Sequence, residues 1–93
     1  MKILQTKIFK RRTKKLHPNE KQTLDDSVKL IATDPTLGVA KVGDLKGVLV
    51  YKYKVSINQY LLAYSYEPND NIITLLAYGS HENFYRDLKK QSL

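Results

Sequence analysis

Four side chains in this sequence have the type and spacing for acid–base or phosphate chemistry: His81, Tyr85, Lys52 and Lys54. An imidazole titrates near neutral pH and can give or take a proton there. His81 follows the strand-like stretch 72–78 directly after Gly79-Ser80, where a sheet edge gives way to an exposed turn. Tyr85 stands four residues later, on the same side of the chain if this stretch is helical. Lys52 and Lys54 are two apart on a strand, which puts both ammonium groups on one face, about 7 Å apart. Two such cations suit a bridging phosphate, whose charge grows in the transition state of phosphodiester cleavage. Each feature also has a plainer use. A lone histidine sits in many turns, tyrosines pack sheets, and lysines on a strand discourage edge pairing.

The remaining candidates carry less chemistry. Tyr51, Tyr53, Tyr60, Tyr64, Tyr66 and Tyr78 either stack bases or straddle a core and its rim. Asp25-Asp26 reads as the solvated face of a helix, and His17, beside Pro18, as a loop residue. No phosphate-loop glycine pattern, zinc-ligand spacing or serine-nucleophile motif is present. With no cysteine and two histidines far apart in sequence, neither a metal nor a cofactor is expected.

The net charge of +7 is localised. Seven of the 16 basic residues and none of the nine acidic ones fall in residues 1–16, so the rest of the chain is neutral. Such a block attracts polyanions, whether a phosphate backbone or an acidic protein, and otherwise only aids solubility. Lys10, Arg11, Arg12, Lys14 and Lys15, with Arg86 in the tail, are the candidate RNA-binding cations.

The elements that must position these groups follow from periodicity. Residues 2–8 form a short first strand, and 9–16 a basic helix that stops at His17-Pro18. A second helix runs from Pro18 to Thr33, with Leu24, Val28 and Ile31 as its buried stripe. Asp34-Pro35 ends it, and Gly38, Gly43 and Gly47 punctuate a loop. From residue 48 the period changes to two. Leu49, Tyr51, Tyr53 and Val55 point one way, and Val50, Lys52 and Lys54 the other. Strands at 59–66 and 72–78 are joined by the turn Glu67-Pro68-Asn69-Asp70-Asn71, and residues 80–90 form a short helix. Leu62 and Leu76 join the helix stripe as expected core residues. The order β-α-α-β-β-β predicts an α+β domain: an antiparallel sheet of three to four strands with a helical hairpin packed on one face.

At 93 residues and 42% hydrophobic, the chain is expected to be one domain over residues 1–93 with a modest core. No apolar run approaches a membrane span, and residues 1–16 lack the apolar stretch of a secretory signal, so a soluble cytoplasmic protein is expected.

In this order the elements resemble the RelE/ParE superfamily of bacterial type II toxin–antitoxin toxins. The likeness runs through Asp34-Pro35-Thr36-Leu37-Gly38, Asp44-Leu45-Lys46-Gly47 ahead of a basic strand, and the pair of Tyr-rich strands. Its most specific part is the tail LLAYGSHENFYRDLKK, residues 75–90. The resemblance implies a toxin neutralised by a cognate antitoxin. One branch of the superfamily cleaves messenger RNA on the ribosome without a metal; there Lys52 and Lys54 match the basic strand, and His81 and Tyr85 the terminal acid–base positions. The other branch poisons DNA gyrase without catalysis. The chain departs from many relatives in having Leu61, where they carry an arginine after the middle-strand tyrosine.

Overall fold

Local signals decide where each element begins. The computed structural model describes residues 1–55, 57–80, 84, 85 and 88. Strand β1 (Lys2–Gln5) ends because Thr6 caps a helix: its hydroxyl accepts a hydrogen bond from the Phe9 amide at 3.1 Å. Helix α1 (Lys7–Thr13) therefore starts two residues ahead of the position periodicity suggests. It also ends sooner, because residues before Pro18 tighten into three-residue turns, Lys15 N to Arg12 O and Leu16 N to Thr13 O, both 3.3 Å. Helix α2 (Pro18–Thr33) has the expected bounds, with Pro18 in its first turn. Leu24 and Ile31 are buried and Val28 half-buried. The Asp34 carboxylate then accepts from the Thr36 hydroxyl at 2.6 Å and the Thr36 amide at 3.1 Å, opening a 3₁₀ turn over Pro35–Leu37. These two bonds hold the Asp34 carboxyl below its ordinary range.

Four more strands follow: β2 (Val39–Ala40), β3 (Leu49–Val55), β4 (Asn58–Glu67) and β5 (Ile72–Gly79). They form one sheet in the order β1-β5-β4-β3-β2. The α+β architecture stands, but among the described residues the sheet has five strands rather than three or four, and it is mixed rather than antiparallel. β2 to β5 run as an antiparallel meander that brings β5 back beside β1, parallel to it, with Lys2 opposite Ile72. β2 pairs only Val39 with Val50 and Ala40 with Leu49, too short a piece to show a period inside a glycine-punctuated loop. The turn into β5 uses Asn71 at φ 56°, a backbone region asparagine tolerates.

One irregularity re-aims the end of β5. Ala63 pairs with Ala77 while Tyr64 pairs with Leu75, so Leu76 is an extra residue. Up to Leu75 the odd-numbered residues face the helices; past the bulge Tyr78 does so and Ala77 faces away. The α1 cap stabilises the distortion, since the Thr6 amide bonds the Leu75 carbonyl at 3.1 Å and the Thr6 hydroxyl donates to the Leu76 carbonyl at 3.3 Å. Leu76 is consequently half-buried, while Leu62 is fully buried as expected.

The sheet carries a core on each face. Phe9, Leu24, Ile31, Tyr53, Leu62, Tyr64, Ile73 and Leu75 pack between sheet and helices. On the other face Val48, Val50, Leu61, Ala63 and Ala77 are covered by Phe84 and Leu88. The helix expected over 80–90 lies largely outside the described residues; Phe84, Tyr85 and Leu88 are helical, and the Phe84 amide bonds the Ser80 carbonyl at 3.1 Å.

Candidate functional site

Alternation along β3 sends Leu49, Tyr51 and Tyr53 toward the helices and Val50, Lys52 and Lys54 to the opposite face. Val50 is buried under Phe84 and Leu88, but the two lysines lie past that cover and are exposed. Lys54 stands opposite Gln59, also exposed, and Lys52 opposite Leu61. Leu61 in turn stands opposite Gly79 on β5. Lys52, Leu61 and Gly79 therefore form one row across three strands, and Gly79 lies about 10 Å from Lys52. Gly79 has φ 151°, which a side chain disfavours, and it ends the strand two residues before His81. His81 and Arg86 lie outside the described residues.

Tyr85 is half-buried on this same face, packed against the outer core with its ring 4.9 Å from Phe84 and nearly perpendicular to it. Register and packing thus bring Lys52, Lys54 and Tyr85 to one side of the sheet, in line with the strand end that leads to His81. Leu61 is 5% exposed and lies in that outer core.

The other tyrosines belong elsewhere. Tyr51, Tyr53, Tyr60, Tyr64, Tyr66 and Tyr78 all pack on the helix side. Tyr53 and Tyr60 stack at 5.9 Å, and burial raises the Tyr53 phenol far above its ordinary range. Burial raises the Tyr64 phenol too. Tyr78 meets Phe9 edge-on at 5.9 Å and donates its hydroxyl to the Arg12 carbonyl at 2.6 Å, tying α1 to the end of β5. These six rings are core material, not a stacking platform on the Lys52–Lys54 face.

The basic helix also stands apart. Lys7, Lys10, Arg11 and Lys14 fall at i, i+3, i+4 and i+7 and are exposed, as is Lys15. Arg12 is half-buried. Because α1 packs through Phe9 on the helix side, its cations and the Lys52–Lys54 pair occupy opposite layers. Asp25 pairs with Lys21 at 3.0 Å and Asp26 accepts from the Gln22 side chain at 3.0 Å, the solvated helix face expected of them. His17 is the exposed N-cap residue of α2 and makes no side-chain cap bond.

Between β1, α1 and α2 lies a cleft of about 120 Å³, floored by Phe9, Leu24, Val28 and Leu75 and rimmed in part by Ile3 and Gln5. Its residues come from four separate elements, so no local pattern in the sequence reveals it. A family model described as the ParE-like toxin of type II bacterial toxin–antitoxin systems matches residues 3–89. No curated protein matches the chain.

Proposed function

The chain belongs to the ParE-like toxins of bacterial type II toxin–antitoxin systems, and on that premise we propose that it cuts messenger RNA on the ribosome. Membership implies a cognate antitoxin as partner. The observation that carries the reading is the row Lys52–Leu61–Gly79: exposed Lys52 sits level with the strand end that leads to His81, with Lys54 two residues farther along the same face and Tyr85 also on it. In this reaction the ribose 2′-oxygen attacks the adjacent phosphorus and the bond to the 5′-oxygen breaks. The 2′-hydroxyl proton leaves to a base, and the departing 5′-oxygen takes a proton from an acid. His81 fills one of these proton-transfer roles. Lys52 and Lys54 stabilise the phosphorane charge, and Tyr85 orients the nucleotide by stacking. The exposed cations of α1, on the other layer, serve encounter rather than chemistry.

The test is mRNA cleavage in a purified translation system, wild type against His81→Ala. Cleavage by the wild type, reduced about 10²–10⁴-fold in the variant, supports the mechanism. Equal cleavage by both removes His81 from it.

A second reading, inhibition of DNA gyrase without catalysis, is favoured by the ParE-like character of the matching family and by Leu61, a buried apolar side chain where the superfamily resemblance leads one to expect an arginine in many members. Inhibition of gyrase supercoiling with intact mRNA selects it. One fold serves both activities.

A further inference from the structure

The β3–β4 hairpin projects beyond the rest of the sheet. β5 stops at Gly79, in the row Lys52–Leu61–Gly79, and β2 meets β3 only at Leu49 and Val50. The pairs Tyr53–Tyr60, Lys54–Gln59 and Val55–Asn58 lie past that row, and among the described residues no further strand flanks them. A two-stranded ribbon is marginal on its own. Here the stacked rings of Tyr53 and Tyr60, packed with the helix-side core, support it from beneath. Its other face is a ledge that starts where the cover of Phe84 and Leu88 ends. Lys52, Lys54 and Gln59 form the surface of this ledge, and all three are exposed. The two lysines are the only charged residues from 49 to 66. Gln59 stands directly opposite Lys54, with Cβ atoms about 5 Å apart, and about 7 Å beyond the row that ends at Gly79. Its side-chain amide makes no hydrogen bond among the described residues.

We propose that Gln59 reads a base beside the scissile phosphate and gives the cleavage a preference for adenine there. The inference rests on the ribonuclease reading and adds a specificity-determining residue to it. A strand whose phosphate sits between Lys52 and Lys54 has a nucleotide on each side, and one of the two lies over the ledge, against Gln59. A carboxamide offers a donor and an acceptor side by side, the pattern that matches the N6 amino group and N7 of adenine. Unstacked bases of single-stranded RNA expose that edge. Contacts from the lysines to phosphate fix position and carry no sequence information, so discrimination falls to the amide. An acidic protein segment would also satisfy the two lysines. The ledge, however, continues the row that leads to His81, and a nucleotide strand held at that row must run on past it.

The experiment is cleavage in a purified translation system on messages that differ only in the two nucleotides flanking the cut, each in turn A, C, G or U. The wild type is expected to favour adenine at one of the two positions by at least about fivefold. Gln59→Ala, at an exposed position, is expected to level that preference. Gln59→Glu, whose carboxylate accepts from the cytosine amino group, is expected to move it to cytosine. Lys52→Ala is the contrast: it is expected to slow cleavage of every message and to keep the ranking. A wild type that cleaves without preference, or a Gln59→Ala protein with the wild-type ranking, overturns the proposal and leaves the ribonuclease reading standing. A wild type that cleaves no message overturns both, and a block of gyrase supercoiling that weakens in Gln59→Ala would then make the ledge a protein contact.

Discussion

The hydroxyl of Tyr64 occupies the space that a side chain at Gly38 would need. It accepts a hydrogen bond from the Gly38 amide at 2.9 Å and donates to the Pro35 carbonyl at 2.6 Å. A Cβ at Gly38 would lie 2.7 Å from that oxygen and 3.1 Å from the Leu49 Cβ. Gly38 has φ −73°, ordinary for any residue, so the position requires glycine for room and not for backbone freedom. This contact fastens the segment after α2 to the centre of the sheet, just before β2 and β3.

Two substitutions test this latch. Tyr64→Phe leaves the Gly38 amide and Pro35 carbonyl without their partner and is expected to cost about 1–3 kcal/mol. Gly38→Ala overpacks the same site at a similar cost, about 1–3 kcal/mol. Urea unfolding is the measurement. In the double variant the phenylalanine ring still crowds the added methyl but no hydroxyl is left to clash, so the two costs are expected to be less than additive. Full additivity would mean the two residues do not act as one unit.

The two basic surfaces are separable. Lys52→Ala and Lys54→Ala are expected to slow mRNA cleavage on the order of 10²-fold, while stability stays within about 0.5 kcal/mol because both side chains are exposed. Lys10→Ala/Arg11→Ala, on the other layer, is expected to weaken encounter at low salt and to leave the single-turnover cleavage rate unchanged. Single-turnover cleavage at two salt concentrations distinguishes them. An α1 variant that loses the chemical step at both concentrations would join the two surfaces into one site.

The frame is legible in the sequence where a pattern has a single physical outcome. Pro18 and Asp34-Pro35 bracket α2, and the alternation after residue 48 sorts Lys52 from Tyr53. Thr6 is of a type that caps helices but that suits a strand equally well, so the first strand reads too long and the first helix too late. The row from Lys52 to Gly79 depends on two registers and ends past the Leu76 bulge, and registers come from pairing rather than from periodicity. The β1 cleft is further removed still, since its walls come from segments distant in sequence.

Buried phenols make stability fall at alkaline pH. Below about pH 10 the Tyr53 phenol is neutral in both states and contributes no pH dependence. Above it the unfolded chain ionises while burial keeps the folded phenol protonated, with Tyr78, Tyr60 and Glu20 adding to the upward shift. Stability is therefore present below the unfolded pKa and lost as pH rises toward the folded one. Tyr64 acts in the same direction. Urea unfolding from about pH 8 to about pH 11 is expected to show this decline, with a shallower slope in Tyr53→Phe. An equal slope in both proteins would assign the loss to other groups.

Leu61 is the position where family likeness and packing pull apart. It stands between Lys52 and Gly79 in the row that faces the site, yet it is 5% exposed and packed with Phe84 and Leu88. Leu61→Arg would place a cation in an apolar cluster directly opposite Lys52. The expected result is a loss of stability of about 3 kcal/mol or more, with no gain in cleavage. Leu61→Met, which keeps volume and polarity, is expected to cost less than about 1.5 kcal/mol. Unfolding by urea and cleavage on ribosomes are measured on both variants. A Leu61→Arg protein as stable as the wild type and faster at cleavage would show that the cover formed by Phe84 and Leu88 yields to make room for a third phosphate-binding cation.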